Sequence, residues 1–192
     1  MKLKDQFKVE YVSNQLDVET RNFLKKWHYS KSYRSLQQKH VFKLIQDNIL
    51  VGVAVYGKPM SIHHSSDIIE LRRLCLIDNT PKNSESFFIA KTLKWMDKNT
   101  TYNQVISFAD PNKGHIGTIY RASNFEYFGT EDSQNPRVLV YKNKDIHMRQ
   151  LYQKKNGSYT KNAIMYQSLV ESGKAKIEKR EKKHKYVYYF RG

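Results

Sequence analysis

Cysteine is nearly missing from this chain of 192 residues: Cys75 stands alone, which excludes an internal disulfide and a thiolate metal cluster and fits a reducing cytoplasm. Glycine and proline are scarce too, with 8 and 4 copies, and they do not gather into a Gly-rich phosphate loop or a low-complexity linker. No apolar run approaches the roughly 20 residues a membrane span needs. Met1-Lys2-Leu3-Lys4-Asp5 leads into polar sequence without the apolar stretch of a signal peptide. Carboxylates are the last shortage. Against 34 Lys and Arg there are 18 Asp and Glu, giving a formal charge of +16 and a sequence pI near 9.8. A surface this positive favours a polyanionic partner, nucleic acid first, because neutralising phosphates releases counterions.

What the chain does have is a core. Hydrophobic residues make up 39% and aromatics 13%, enough for one folded domain over 1–192, with or without an appendage. Phe7, Val9 and Tyr11 alternate with polar residues and predict a first strand. Leu16, Thr20, Phe23, Leu24 and Trp27 predict a short helix ending at Trp27-His28-Tyr29-Ser30. Residues 41–58 predict a hairpin turning at Asp47-Asn48. Residues 68–78, IIELRRLCLID, predict another strand, with Ile69, Leu71, Arg73 and Cys75 on one face and Glu70, Arg72, Leu74 and Leu76 on the other. Charges on both faces read either as a paired Glu70–Arg72 site wall or as an edge strand with solvated side chains. A helix then starts at Asn83 or Ser84, striped by Phe88, Ile89, Thr92, Leu93, Trp95 and Met96. Its first turn, with Ser84 and Ser86, could hold a phosphate.

The rest is organised around Val105 to Gly129. An apolar strand, Val105 to Ala109, breaks at Asp110-Pro111-Asn112-Lys113-Gly114. A helix bearing Ile116, Ile119, Tyr120 and Ser123 follows, and Phe125 to Gly129 closes the unit. This puts Asp110 at the carboxyl edge of a sheet and Tyr120 in the next helix, where α/β proteins hold reacting groups. Taken singly, an Asp-Pro pair is an ordinary turn starter and a helical tyrosine is ordinary packing. Strands at Arg137 to Tyr141 and Tyr186 to Phe190 frame a basic segment, 142–185, that interleaves Lys154-Lys155 and Lys179-Arg180-Glu181-Lys182-Lys183 with Tyr152, Tyr159 and Tyr166. Such interleaving suits phosphate contacts with stacking on base or sugar, though a solvated helical insertion reads the same way. Met165 to Val170 would pack its helices on the body. His28 reads as base, metal ligand or hydrogen-bonded structural group, and the adjacent His63-His64 pair reads as surface.

The element order is similar to the GNAT acyltransferase fold: an α/β (α+β) architecture with a mixed, mostly antiparallel central sheet, helices on both faces and a basic helical insertion before the last strand. The segments WHYS (27–30), GVAVYG (52–57), ELRRLCLID (70–78), TPKNSESFFIAKTL (80–93), ISFADP (106–111), GHIGTIYRASNF (114–125) and KYVYYF (185–190) resemble the phage Mom proteins from Trp27 onward. This resemblance implies a transferase that converts adenine in phage DNA to its N-carbamoylmethyl derivative at the exocyclic amine, in the host cytoplasm, protecting the genome from restriction. It carries catalytic roles onto His28, Tyr29, Arg72, Asp110 and Tyr120, with Glu70 beside them. It implies cofactor contacts at Leu74, Cys75, Asn83, Ser84, Ser86 and Asn124, and iron on His28 and Asp110. Nucleic acid would meet Lys58, Lys154, Lys155, Lys182 and Lys183, with the flipped base stacked on Tyr29 or Tyr56. Double-stranded DNA is the expected partner, and no membrane. The donor stays open between acetyl-coenzyme A and an aminoacyl-tRNA, since the loop from Asp78 to Glu85, where the fold usually cradles a pyrophosphate, has no glycine. A non-catalytic nucleic-acid-binding protein and an acetyl-coenzyme A dependent amine acetyltransferase are the alternatives.

Overall fold

The computed structural model describes residues 2–31, 33, 36–59, 65–130 and 136–191; the His63-His64 pair lies outside them. The chain forms two compact units. One comprises Met1–Ala109, Gly117–Gly129 and His184–Gly192; the other comprises Asp110–Ile116 and Thr130–Lys183.

The first unit begins with a one-turn helix α1 (Leu3–Gln6), which no sequence pattern announces, and strand β1 (Lys8–Ser13). Helix α2 (Val18–Trp27) starts where the Asp17 carboxylate accepts the Thr20 N–H at 2.8 Å, an N-cap that satisfies an otherwise orphaned amide. The β-branched hairpin follows as β2 (Gln38–Gln46) and β3 (Ile49–Gly57), closed by Asp47 and Asn48 at φ 49 and 63, the left-handed pair that a tight hairpin turn requires. Next come β4 (Ile68–Leu76), the 16-residue helix α3 (Ser84–Asn99), β5 (Gln104–Ala109), a single-turn helix α4 (Thr118–Arg121) and β6 (Glu126–Thr130). The second unit contributes β7 (Arg137–Tyr141), β8 (Lys144–His147), the two-residue strands β9 (Lys154–Lys155) and β10 (Ser158–Tyr159), helix α5 (Lys161–Glu171) and β11 (Lys176–Lys179). Strand β12 (His184–Tyr189) returns to the first unit.

The main sheet runs β1-β2-β3-β4-β5-β12-β6. The β4–β5 pair is parallel, and the β1–β2, β2–β3, β3–β4 and β5–β12 pairs are antiparallel. Helix α3 seals one face through Phe88, Ile89, Leu93 and Met96, packed with Phe42, Leu44, Tyr56, Leu71 and Tyr186. Helix α2 seals the other through Phe23 and Leu24, packed with Val41, Val53, Val55 and Cys75. Both faces are therefore dry, which explains why β3 reads as one continuous apolar run.

Strand β4 departs from simple alternation. Leu71 pairs with Tyr56 and Arg73 with Val55, so Arg72 is an extra residue, a β-bulge. The bulge reverses the facing of everything after it. Ile69 and Leu71 share the α3 face with Leu74 and Leu76, while Cys75 turns to the α2 face. The expected set of Ile69, Leu71, Arg73 and Cys75 on one face is thereby corrected, because one inserted residue flips a two-residue period.

In the second unit β7 pairs antiparallel with both β8 and β11. Its core is small: Leu139, Leu151 and Ala175 are buried, with Tyr166, Leu169 and Val170 of α5 packed against them. Those α5 residues cover the small sheet, whereas Met165 is 45% exposed. The basic segment thus contains strands as well as one helix.

Candidate active site

The β4–β5 ladder is short. It pairs Ile68 with Gln104, Ile69 with Val105 and Glu70 with Ile106, and there it ends, although β4 runs on to Leu76 and β5 to Ala109. Beyond that point the strands are no longer laddered, and their carboxyl ends bound a crevice of the kind in which α/β sheets bind ligands. One hydroxyl spans the parting: Ser107 Oγ donates to the Leu71 carbonyl at 3.1 Å. Ser107 is fully buried and also pairs with the Tyr120 hydroxyl.

Tyr120 is the centre of this group. Its ring, 9% exposed, packs against Phe125 and Tyr186 with centroids at 5.5 and 5.3 Å. Burial pushes its phenol above the ordinary tyrosine value; Ser107 opposes that, and the neighbouring Tyr29, Glu70 and Tyr186 add to it. The raised pKa keeps the phenol neutral and makes it a weaker acid than free tyrosine, so at neutral pH its hydroxyl can donate a hydrogen bond or a proton but does not serve as a base. Gly117 makes the arrangement possible. A Cβ there would lie 2.2 Å from ring atoms of Tyr186, and its φ of 80 is left-handed, so only glycine fits between that ring and the start of α4.

Glu70 neighbours Tyr120, and Arg73 neighbours Glu70 and Tyr29. Glu70 is buried. Arg72 Nη1 donates to the Lys58 carbonyl at 2.8 Å, crossing Gly57, where a Cβ would come within 2.9 Å of Arg72 Cδ. Arg73 Nη1 donates to the Arg72 carbonyl at 2.7 Å. Burial lowers the Arg73 pKa, with Tyr29 opposing that, Arg72 adding to it and Glu70 opposing it. Ser107, Arg73 and Tyr186 were not singled out from sequence. A lone hydroxyl inside the apolar run Val105 to Ala109 was the available signal for Ser107.

His28 closes α2, and its side chain is turned to Ser30: Nδ1 accepts the Ser30 N–H at 3.1 Å and lies 2.8 Å from Ser30 Oγ. A ring nitrogen that accepts a backbone N–H carries no proton, so the neutral imidazole has its proton on Nε2. Nδ1 is therefore engaged, which weakens His28 as a general base and suits it to orienting Tyr29, whose exposed ring lies 4.3 Å away.

A cavity of about 390 Å³ opens where β4 ends. It is bounded by Leu76 to Asp78, by the loop and first turn of α3 with Lys82, Asn83, Glu85 and Ser86, and by Thr118, Ile119 and Ala122 of α4. The missing glycine of this loop is supplied in effect by Asn83, which adopts φ 69 just before the helix, a conformation asparagine tolerates better than most residues. Lys82, Asn83, Ser86 and Thr118 form a donor set that suits a phosphate, Ser86 through its amide because its hydroxyl donates to the Asn83 carbonyl at 3.1 Å, with Asp78 and Glu85 the opposing charges. Ser84 is corrected as a ligand: it is fully buried, and its hydroxyl and amide both donate to the Pro81 carbonyl, at 2.6 and 3.2 Å. Cys75 is turned to the α2 face and is not among the residues that line this cavity; burial there pushes its thiol up to about 11. Leu74 faces the α3 core, and exposed Asn124 at φ 62 ends the α4 turn.

Two further expectations change. Tyr56 cannot stack on a base: it is completely buried, with its hydroxyl 2.6 Å from Thr92 Oγ1 and burial raising its pKa. Asp110 directly follows β5. It belongs to the second unit, where Oδ1 accepts from the Asn112 amide and side chain, both at 3.0 Å, capping the turn that leaves β5. The residues present do not fit iron: His28 Nδ1 is engaged by Ser30, and among the described residues no three His, Cys, Asp or Glu side chains cluster. Lys58 is exposed at the end of β3. Lys154, Lys155 and Lys183 are exposed in the second unit, and Lys182 is half-buried.

Comparison with known proteins identifies the fold and the family. The fold is that of the GNAT acetyltransferases. A Bacillus subtilis acetyltransferase in complex with CoA superposes with a TM-score of 0.55 at 8% identity, covering 96% of this chain and 99% of its own. A GNAT family acetyltransferase from Elizabethkingia anophelis with acetyl-CoA bound gives 0.55 at 9% identity over the same shares. Within that fold the chain belongs to the Mom protein family, which matches residues 6–192. The methylcarbamoylase Mom of Escherichia phage Mu is 31% identical over 141 residues, spanning 65% of this chain and 58% of that relative.

Proposed function

We propose that this chain is a transferase that modifies adenine in phage DNA, replacing a hydrogen of the exocyclic amine with a carbamoylmethyl group and so shielding the genome from host restriction. Membership of the Mom family, with a phage Mu relative named a methylcarbamoylase, carries the reading. The charge of +16 supports it independently, since a duplex must be held against its counterions.

The amine of adenine is a weak nucleophile whose lone pair is delocalised into the ring, and inside a duplex it cannot reach a buried site. Extruding the base costs a few kcal/mol. Tyr29, the exposed ring beside the crevice, is the stacking surface that offsets this cost, in place of Tyr56. Tyr120, held protonated by burial, donates its phenolic proton to the leaving atom of the donor, and Ser107 and the Leu71 carbonyl fix its orientation. Glu70 accepts the proton released by the amine, and Arg72 with Arg73 sets the positive field that holds the donor. The cavity at the start of α3 fits a phosphate-bearing donor of the coenzyme A class through Lys82, Asn83, Ser86 and Thr118. Such a donor supplies an activated carbonyl. A glycyl group has the same atoms as a carbamoylmethyl group, whereas acetyl lacks the nitrogen, so a glycyl ester or thioester matches the product in composition. Acyl transfer from it expels the alcohol or thiol and leaves the glycyl carbonyl on the amine. The carbamoylmethyl product requires a further isomerisation that moves the amine nitrogen from that carbonyl carbon to the methylene carbon and the glycyl nitrogen to the carbonyl.

Nucleoside mass spectrometry of plasmid DNA from cells expressing the chain tests this reading. A deoxyadenosine species heavier by one carbamoylmethyl group is expected, and unmodified DNA from cells with soluble protein contradicts it. A second reading, acetylation of a small amine, is favoured by the fold and the phosphate-suited cavity. It predicts acetyl-coenzyme A turnover with a polyamine and no DNA.

A further inference from the structure

The second unit carries fourteen lysines and arginines against seven carboxylates across residues 110–116 and 130–183. Two of those carboxylates are already engaged. Asp145 is bound by Lys113 at 3.2 Å and by Arg180 at 2.7 Å, and Glu178 by Arg180 at 2.7 Å. Two adjacent lysines of the remainder, Lys154 and Lys155, stand on the hairpin of β9 and β10. Lys155 pairs with Ser158 and Lys154 with Tyr159, and Asn156 and Gly157, at φ 52 and 80, make the two-residue turn. Every side chain from Tyr152 to Tyr159 is exposed, so the ribbon contributes nothing to the core. Its base is nonetheless held. The Thr160 amide donates to Gln153 at 2.9 Å, Thr160 caps α5 through Ala163 at 3.2 Å, and Gln167 donates to the carbonyl of buried Leu151 at 2.9 Å. Among the described residues neither Lys154 nor Lys155 pairs with a carboxylate. Lys154 instead lies 4.8 Å over the Tyr159 ring.

We propose that this ribbon, Lys154 to Tyr159, docks into the major groove of duplex DNA, with Lys154 and Lys155 on the phosphates and the Asn156 tip against base edges, so that it sets the sequence context in which adenines are modified. The inference rests on the reading of DNA as substrate and adds the element that grips it. A two-stranded ribbon is narrow enough for the major groove of B-form DNA, whereas the deep, narrow major groove of A-form RNA does not admit one. The carboxamide of asparagine matches the N6 and N7 edge of adenine, and a rigid base with a bare tip is what a groove probe needs.

Binding of the full-length chain to a short fluorescent DNA duplex, followed by anisotropy over a salt series, tests the proposal. The Lys154→Ala/Lys155→Ala variant should bind about tenfold or more weakly, with the salt slope shallower by roughly 2, as loss of two phosphate contacts requires. Asn156→Gly keeps the left-handed turn while removing the carboxamide. It should leave affinity within a few fold and, in sequencing of modified sites, relax the preference beside the target adenine. Unchanged affinity and slope in the double variant, with the fold intact by circular dichroism, overturns the docking role, and unchanged context in Asn156→Gly overturns the reading role. Loss of duplex RNA binding with DNA binding intact makes RNA the occupant and also overturns it. Wild-type chain that modifies adenine while all ribbon variants match it defeats this inference and spares the function. Absence of modification by the wild type defeats the function, and anisotropy still decides the ribbon.

Discussion

The main sheet and the basic segment distribute their side chains in opposite ways. In the first unit, seventeen buried residues on one face of the sheet and eight on the other hold the strands between α2 and α3. In the second, three buried residues hold a three-stranded sheet and a helix, while the surface carries twice as many basic as acidic groups. The proposed site, a buried phenol beside a buried glutamate, would need the rigidity of a large core. A surface that grips a polyanion needs only to be presented, and a thin core does that at lower local stability. Damage should therefore divide between the units: core changes in the first unfold the whole, core changes in the second loosen one part, and surface changes in the second alter binding alone.

Gly117→Ala is the severest way to break this contrast. The added Cβ meets the Tyr186 ring at 2.2 Å in a left-handed backbone, so a loss of about 4 kcal/mol in chemical denaturation is expected. Leu139→Ala removes the centre of the small core and should cost about 3 kcal/mol. Hydrogen exchange would then quicken at β7, β8 and β11 while β2 and β3 stay protected. Equal loss of protection in both sheets would mean that the units are one cooperative body.

Most of the large sheet was legible because its strands are β-branched runs closed by turns that asparagine, aspartate and glycine define. The hidden features have local causes. An extra residue at Arg72 has no compositional mark, yet it moves Cys75 to the other face. Tyr56, next to the Gly57-Lys58-Pro59 turn, looked accessible, but it lies under α3 on Thr92. The helix bearing Tyr120 is a single turn because Gly117 opens it and left-handed Asn124 follows its end, neither of which an apolar stripe reveals. Lys176 to Lys179 is too short and too charged to read as a strand, though it pairs fully with β7. The Tyr120–Ser107–Leu71 relay depends on two strands losing their ladder, a property of register rather than of sequence pattern.

Smaller effects sharpen the comparison. Tyr56→Phe should cost about 1 kcal/mol, since Thr92 Oγ1 keeps its 2.8 Å bond to the Ile89 carbonyl, and denaturation at constant m-value reads it. Asp145 sets the smallest effect. The Arg180 guanidinium beside it, with Lys113, holds its carboxyl below the usual value. A depressed carboxyl stabilises the fold above its unfolded pKa of about 3.9, and the gain disappears as pH falls through the folded value. The pair is partly exposed, so the effect stays below about 1 kcal/mol. Wild type should exceed Asp145→Asn in thermal stability at neutral pH, and the gap should close as the pH is taken below the ordinary carboxylate range and Asp145 protonates.

The central claim is that a buried, protonated Tyr120 carries the chemistry. Nucleoside mass spectrometry of DNA from cells producing equal soluble amounts of wild type and Tyr120→Phe tests it directly, with matched unfolding curves as the control for stability. The account predicts carbamoylmethyl deoxyadenosine from the wild type and a reduction of about 100-fold or more in the variant; equal modification by both proteins would contradict it.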